Sequence, residues 1–111
     1  MLTRDDSLIR EIREFIDAHF YQENGIADLC LRFNVNRDKL QLGFRRIVGS
    51  TVHSYIIRRR MDIAARRLRE THDAIKTIAL ESGYKKQRSF AKTFKSIYDL
   101  SPAVYRKRHQ Q

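Results

Sequence analysis

Apolar positions recur along this chain at helical spacing. From Leu8 they fall at Leu8, Ile9, Ile12, Phe15, Ile16 and Phe20, which predicts an amphipathic first helix. Thr3 with Asp6 three residues on makes a candidate capping box, and Asp5 and Asp6 suit the positive end of a helix. Gln22-Glu23-Asn24-Gly25 is expected to stop it. A short helix over 26–33 should bury Ile26, Leu29 and Cys30. Asn34 then stands where a left-handed backbone is expected. Asn36 can cap a further helix over 37–48, with Leu40, Phe44 and Ile47 on one face, and Gly49 ends it. Two short helices separated by a tight turn make a helix-turn-helix.

From Val52 to Glu70 nothing breaks the helical pattern. Tyr55, Ile56, Met61, Ala65 and Leu68 are its expected inward residues. At ~1.5 Å per residue such a helix spans roughly 25 Å. The pattern then repeats. FRRIVGSTVHSY at 44–55 and FKSIYDLSPAVY at 94–105 share F-[RK]-x-I-x-x-x-[ST]-x-x-x-Y at an offset of fifty. IADLCLRFNV at 26–35 aligns with IKTIALESGY at 75–84 at an offset of forty-nine, which places Asn34 against Gly83. The second turn therefore holds one extra residue. A helix over 87–98 matches the one over 37–48, and Ser101-Pro102 opens a last helix, with Ser as cap and Pro at its first position. Repetition at a fixed period predicts two copies of one small unit.

The fold expected is all-α, about seven helices in two homeodomain-like helix-turn-helix subdomains. The subdomains take residues 1–53 and 71–111, with a long linker helix over 54–70.

Charge narrows the function. The 111 residues carry a formal net charge of +10, unevenly placed: residues 1–30 hold three basic and seven acidic side chains, the remainder twenty and six. A basic block of this strength suggests a polyanionic partner, most often nucleic acid. Cys30 is the one cysteine, so no internal disulfide can form, which fits a reducing cytoplasm. Its apolar neighbours favour a core role over redox sensing. His19, His53, His72 and His109 lack ligand spacing, so neither metal nor cofactor is expected. There is no Gly-rich phosphate loop, HExxH or CxxC, so no enzymatic activity is expected. No apolar run reaches the length of a membrane span, and the first residues lack a signal-peptide core.

The residues IALESGYKKQRSFAKTFKSIYDLSPAVYR carry a resemblance. With Ile78, Ala79, Gly83, Tyr84, Ser89, Phe90, Phe94, Lys95, Pro102, Tyr105 and Arg106 at fixed spacing, the chain resembles the DNA-binding domain of the AraC/XylS family of bacterial transcription regulators. The likeness extends from about Leu8 to Arg106. The first copy matches more loosely, with Cys30 where a small residue such as alanine is usual. KLQLGFRRIVGSTVHSY loosely resembles the siderophore-uptake branch, whose members usually carry an extra N-terminal part, so an excised C-terminal domain is expected rather than a stand-alone regulator.

The resemblance implies that Asp38, Gln41 and Leu42 in the first copy, and Gln87, Arg88 and Lys92 in the second, meet base edges. In a helix-turn-helix the second helix enters the major groove, where Arg reads guanine and Gln reads adenine. Arg88 and Gln41 are the foremost candidates. Leu42 departs from the usual polar reader and could meet a thymine methyl. Asp38 could accept from cytosine or orient an arginine; alternatively the first copy mainly positions the protein. Arg37, Lys39, Arg45, Arg46, Lys85, Lys86 and Lys95 are the expected phosphate contacts. The linker arginines, Arg58, Arg59, Arg60, Arg66, Arg67 and Arg69, are expected to form a solvated face paired with Asp62 and Glu70. Tyr55 and Tyr105 are read as packing residues.

The partner expected is double-stranded promoter DNA, bound by a monomer at two unlike boxes about one turn (~34 Å) apart. RNA polymerase is the expected protein partner of an activator, and dimers are expected only if an N-terminal domain belongs to the whole protein. Two other readings compete. An interaction module docking on an acidic partner would bind DNA without sequence preference. Nonspecific RNA or membrane-surface binding is disfavoured, because no stacking aromatics are expected on the exposed face.

Overall fold

The computed structural model describes residues 4–22 and 25–110. Within them lie seven helices and no strand: α1 (Arg4–Ala18), α2 (Ile26–Phe33), α3 (Arg37–Val48), α4 (Val52–Glu70), α5 (Ile75–Glu81), α6 (Gln87–Tyr98) and α7 (Pro102–His109). Thr3 of the expected capping box, and Glu23 and Asn24 of the expected stop, lie outside the described residues. The helix α1 ends at Ala18, so Phe20 falls beyond it. The turn is closed by the His19 amide on the Phe15 and Ile16 carbonyls, and by the His19 ring stacked 4.2 Å from Phe15.

The chain divides into two compact units, the first running to Ile57 and the second beginning at Arg58. The division falls inside α4. Val52 and Ile56, from its first turns, join Ile9, Ile12, Ile16, Leu29, Val35, Leu40 and Phe44 in the core of the first unit. Met61, Ala64, Ala65 and Leu68, from its later turns, are buried in the second, as are Ile78, Ala79, Phe90, Phe94 and Tyr105. One helix thus serves both repeats. Its start stands where α7 stands in the second unit, and Tyr55 and Tyr105 are the aligned residues. In α2 only Leu29 is fully enclosed, while Ile26 and Cys30 pack half-buried against the core.

The repeat is written into the backbone. Asn34 (φ 50°) and Gly83 (φ 97°) turn left-handed at aligned positions after α2 and α5. The next amides, of Val35 and Tyr84, then bond the aligned carbonyls of Cys30 and Ala79 at 3.1 and 2.9 Å. Gly49 (φ 91°) and Asp99 (φ 64°) close α3 and α6 in the same way, each bonding the carbonyl four residues back. Glycine reaches this region without strain and Asp reaches it more readily than most residues. Asn36 Oδ1 accepts from the Lys39 amide at 2.8 Å and so caps α3. Ser101 Oγ accepts from the Val104 amide at 3.3 Å ahead of Pro102, as the sequence predicts. Thr51 Oγ1 does the same for Ser54 at the aligned start of α4.

Candidate nucleic-acid interface

In each unit the second helix of the motif is anchored by an aligned apolar pair. Leu40 and Phe44 of α3, and Phe90 and Phe94 of α6, are fully buried. Four-residue spacing puts each pair on one face and turns the intervening polar positions outward. Asp38, Gln41 and Leu42 are exposed on α3, and Gln87, Arg88 and Lys92 on α6. Leu42 is 72% exposed, an unusual setting for a leucine. The seven expected phosphate residues, Arg37, Lys39, Arg45, Arg46, Lys85, Lys86 and Lys95, are exposed as well.

The cations differ in how they are held. Lys39 Nζ lies 3.4 Å from Asp5 Oδ1, and Arg46 Nη2 donates to Asp6 Oδ1 at 2.7 Å. Both acids belong to the first turn of α1, so they serve α3 as well as their own helix end. Among the described residues no ion pair engages Arg88, Lys92 or Lys95 of α6. The helix starts differ too: α3 is capped by Asn36, whereas Lys86 at the aligned position offers α6 no side-chain cap.

The linker arginines divide. Arg58 pairs with Asp62 at 3.0 Å and Arg66 with Glu70 at 3.1 Å, one helical turn apart, as expected for a solvated face. Arg59, Arg60 and Arg67 depart from that expectation and are half-buried. Arg60 sits over the Tyr84 ring at 5.7 Å, and Arg67 joins Asp73 at 2.8 Å and also Glu81. The second unit packs α5 and its preceding loop against this side of α4, so these arginines bind protein. The Asp73 bond, aided by Glu81 and partly opposed by burial, raises the Arg67 pKa further, and Asp73 is lowered by the same bond. Tyr55 stacks edge-on at 5.5 Å from Phe44 and donates to Asp17 at 2.5 Å; Tyr105 lies 5.2 Å from Phe94 and accepts from Arg69 at 2.7 Å. Both tyrosines pack.

Periodicity and charge alone reveal neither the role of Gly43 nor the pairing of Asp5 and Asp6. A Cβ at Gly43 would lie 2.9 Å from Ile9 Cδ1, so glycine there lets α1 approach α3 closely. A glycine in mid-helix, costing about 1 kcal/mol against alanine, was the available signal.

Residues 29–108 match the model of a helix-turn-helix domain family. The chain is 36% identical over 100 residues to the HTH-type transcriptional activator AarP of Providencia stuartii, a match covering 90% of this chain and 74% of AarP. It belongs to the AraC/XylS family. The regulatory protein SoxS of Escherichia coli K12 is 33% identical over 91% of this chain and 94% of its own length. The C-terminal domain of AraT, a response regulator from Geobacillus stearothermophilus, superposes with a TM-score of 0.92 at 27% identity, covering 98% of this chain and 91% of that one. The DNA-binding domain of AdpA, solved with a target DNA, shares the fold at a TM-score of 0.83 and 22% identity, over 89% of each chain. As an AraC/XylS member the chain is a DNA-binding transcription regulator. Among the described residues no helix is long and apolar enough to cross a membrane.

Proposed function

We propose that the AraC-type chain reads promoter DNA with both repeats, inserting α3 and α6 in successive major grooves to activate bacterial transcription. The observation that carries this is the aligned burial of Leu40 with Phe44 and of Phe90 with Phe94, which leaves both outer faces free. On α6, Arg88 reads guanine by a bidentate contact, Gln87 reads adenine, and Lys92 supplies a further base contact. On α3, Gln41 is the main reader; Leu42 packs on a thymine methyl and Asp38 accepts from cytosine or orients an arginine. Arg37, Lys39, Arg45, Arg46, Lys85, Lys86 and Lys95 meet phosphates and set the salt dependence without conveying sequence.

The subdomains act as residues 1–53 and 71–111 about the helix over 54–70, on cytoplasmic DNA, as a monomer contacting RNA polymerase. Selection of genomic fragments bound by the chain at ~150 mM salt tests the reading. Two enriched boxes about one turn (~34 Å) apart are expected. One box would leave α3 only positioning the protein, and binding without enrichment, lost as salt rises, would overturn sequence reading altogether.

A further inference from the structure

The net charge of +10 resides wholly in the second unit. Through Ile57 the chain carries eight basic and eight acidic side chains, and from Arg58 onward fifteen basic and five acidic. A neutral unit that addresses a polyanion is unexpected, and the first unit places two of its acids directly on the candidate DNA helix. Asp5 holds Lys39 and Asp6 holds Arg46. Lys39, Leu42, Gly43 and Arg46 form one stripe of α3, at steps of three, one and three residues. The bare Gly43 lets Ile9 come close and brings the first turn of α1 over this stripe. Asp6 is only 18% exposed at its side chain, so its carboxylate is fixed in place. At the positions of α6 aligned with Lys39 and Arg46 stand Ser89 and Ser96, which carry no charge to be held.

We infer that Asp5 and Asp6 attenuate DNA affinity: they occupy Lys39 and Arg46 and so weaken the hold of the first unit on phosphates, whatever the sequence. This rests on the reading of Lys39 and Arg46 as phosphate contacts. Nonspecific binding is almost wholly electrostatic, whereas specific binding adds base contacts. Attenuating the phosphate contacts of one unit therefore lowers affinity for every sequence alike and makes it less dependent on salt. The second unit, whose Arg88, Lys92 and Lys95 meet no ion pair among the described residues, supplies the electrostatic anchor, and the first unit engages firmly only where α3 also meets matching bases.

The test compares the unmodified chain with Asp5→Asn/Asp6→Asn on a selected duplex and on a scrambled duplex of equal length, across a salt series. Asparagine keeps the shape of the side chain while removing its charge, and thermal unfolding of each variant checks the fold. Both duplexes should be bound about three- to tenfold tighter, the range two exposed ion pairs allow. The log–log salt slope should steepen by about one to two, as two cations become available, while the discrimination ratio stays unchanged. Glu11→Gln/Glu14→Gln, on exposed positions of the same helix, should do less. In a Lys39→Gln/Arg46→Gln background the Asp substitutions should have no effect on the slope.

Weaker binding by Asp5→Asn/Asp6→Asn, an unchanged slope, an equal effect of the two Glu substitutions, or an effect that survives in the Lys39→Gln/Arg46→Gln background would each overturn the inference. Absence of sequence preference in the unmodified chain would instead sink the functional reading itself.

Discussion

Tyr98 donates its hydroxyl to Asp62 Oδ1 at 2.5 Å and so ties α6 to α4 within the second unit. Arg58 donates to the same carboxylate oxygen at 3.0 Å while its guanidinium lies 5.7 Å from the centre of the Tyr98 ring. Burial first, and then the bond to Asp62, push the Tyr98 pKa up to about 12. Folding thus favours the neutral phenol. The stabilisation is fully present below the unfolded value near 10 and is lost as pH rises through about 12. Tyr98→Phe should lower stability at neutral pH by about 0.5–1.5 kcal/mol and flatten the loss between those two values. Denaturant unfolding at a series of alkaline pH values checks both effects. A curve as steep in Tyr98→Phe as in the unmodified chain would assign the alkaline loss to other groups.

Arg88 and Lys95 lie on the same exposed side of α6 and are expected to separate cleanly. Arg88→Ala should cost about 1–3 kcal/mol on the preferred site and relax preference at one base position. Lys95→Ala should weaken all sequences alike and reduce the salt slope by about one. Binding to a panel of single-base variants resolves them. Uniform weakening by both substitutions would remove Arg88 from the base-reading set.

At Gly43 an added side chain of α3 would press on Ile9 of α1. Gly43→Leu should destabilise the first unit by about 1–3 kcal/mol, because Ile9 is buried and its side chain has to leave its place. Gly43→Ala should cost less, since the gain in helix propensity offsets part of the strain. Thermal unfolding gives the order, and a leucine variant as stable as the parent would show that α1 can slide outward freely.

Asn36→Ala should cost about 1 kcal/mol, as its Oδ1 is the side-chain acceptor at the start of α3. The effect should appear in stability and in the affinity of α3 for its box. Asn36→Ser should recover most of it. A fully stable alanine variant would mean that the first turn of α3 is held by packing of Leu40 alone.

Much of this molecule follows from its sequence. The spacing of Leu40 with Phe44 and of Phe90 with Phe94 determined two helices with one buried face each, because a period of 3.6 residues leaves no other surface for them. Asn34, Gly49 and Gly83 marked left-handed turns because few residues adopt that backbone, and the fifty-residue repeat carried each assignment to its partner. Asp99, aligned with Gly49, turns the same way although its own chemistry announced it less clearly.

What only the tertiary structure decided are the relations between elements distant in sequence. That Asp5 and Asp6 reach α3, that Arg60 and Arg67 turn toward protein, and that α4 divides its residues between two cores all depend on which helices pack together. Periodicity reports that a face is buried but not against what, and the charge of a side chain does not name its partner. Those choices are made by close approach, as at Gly43, where the absence of one methyl group lets two helices meet.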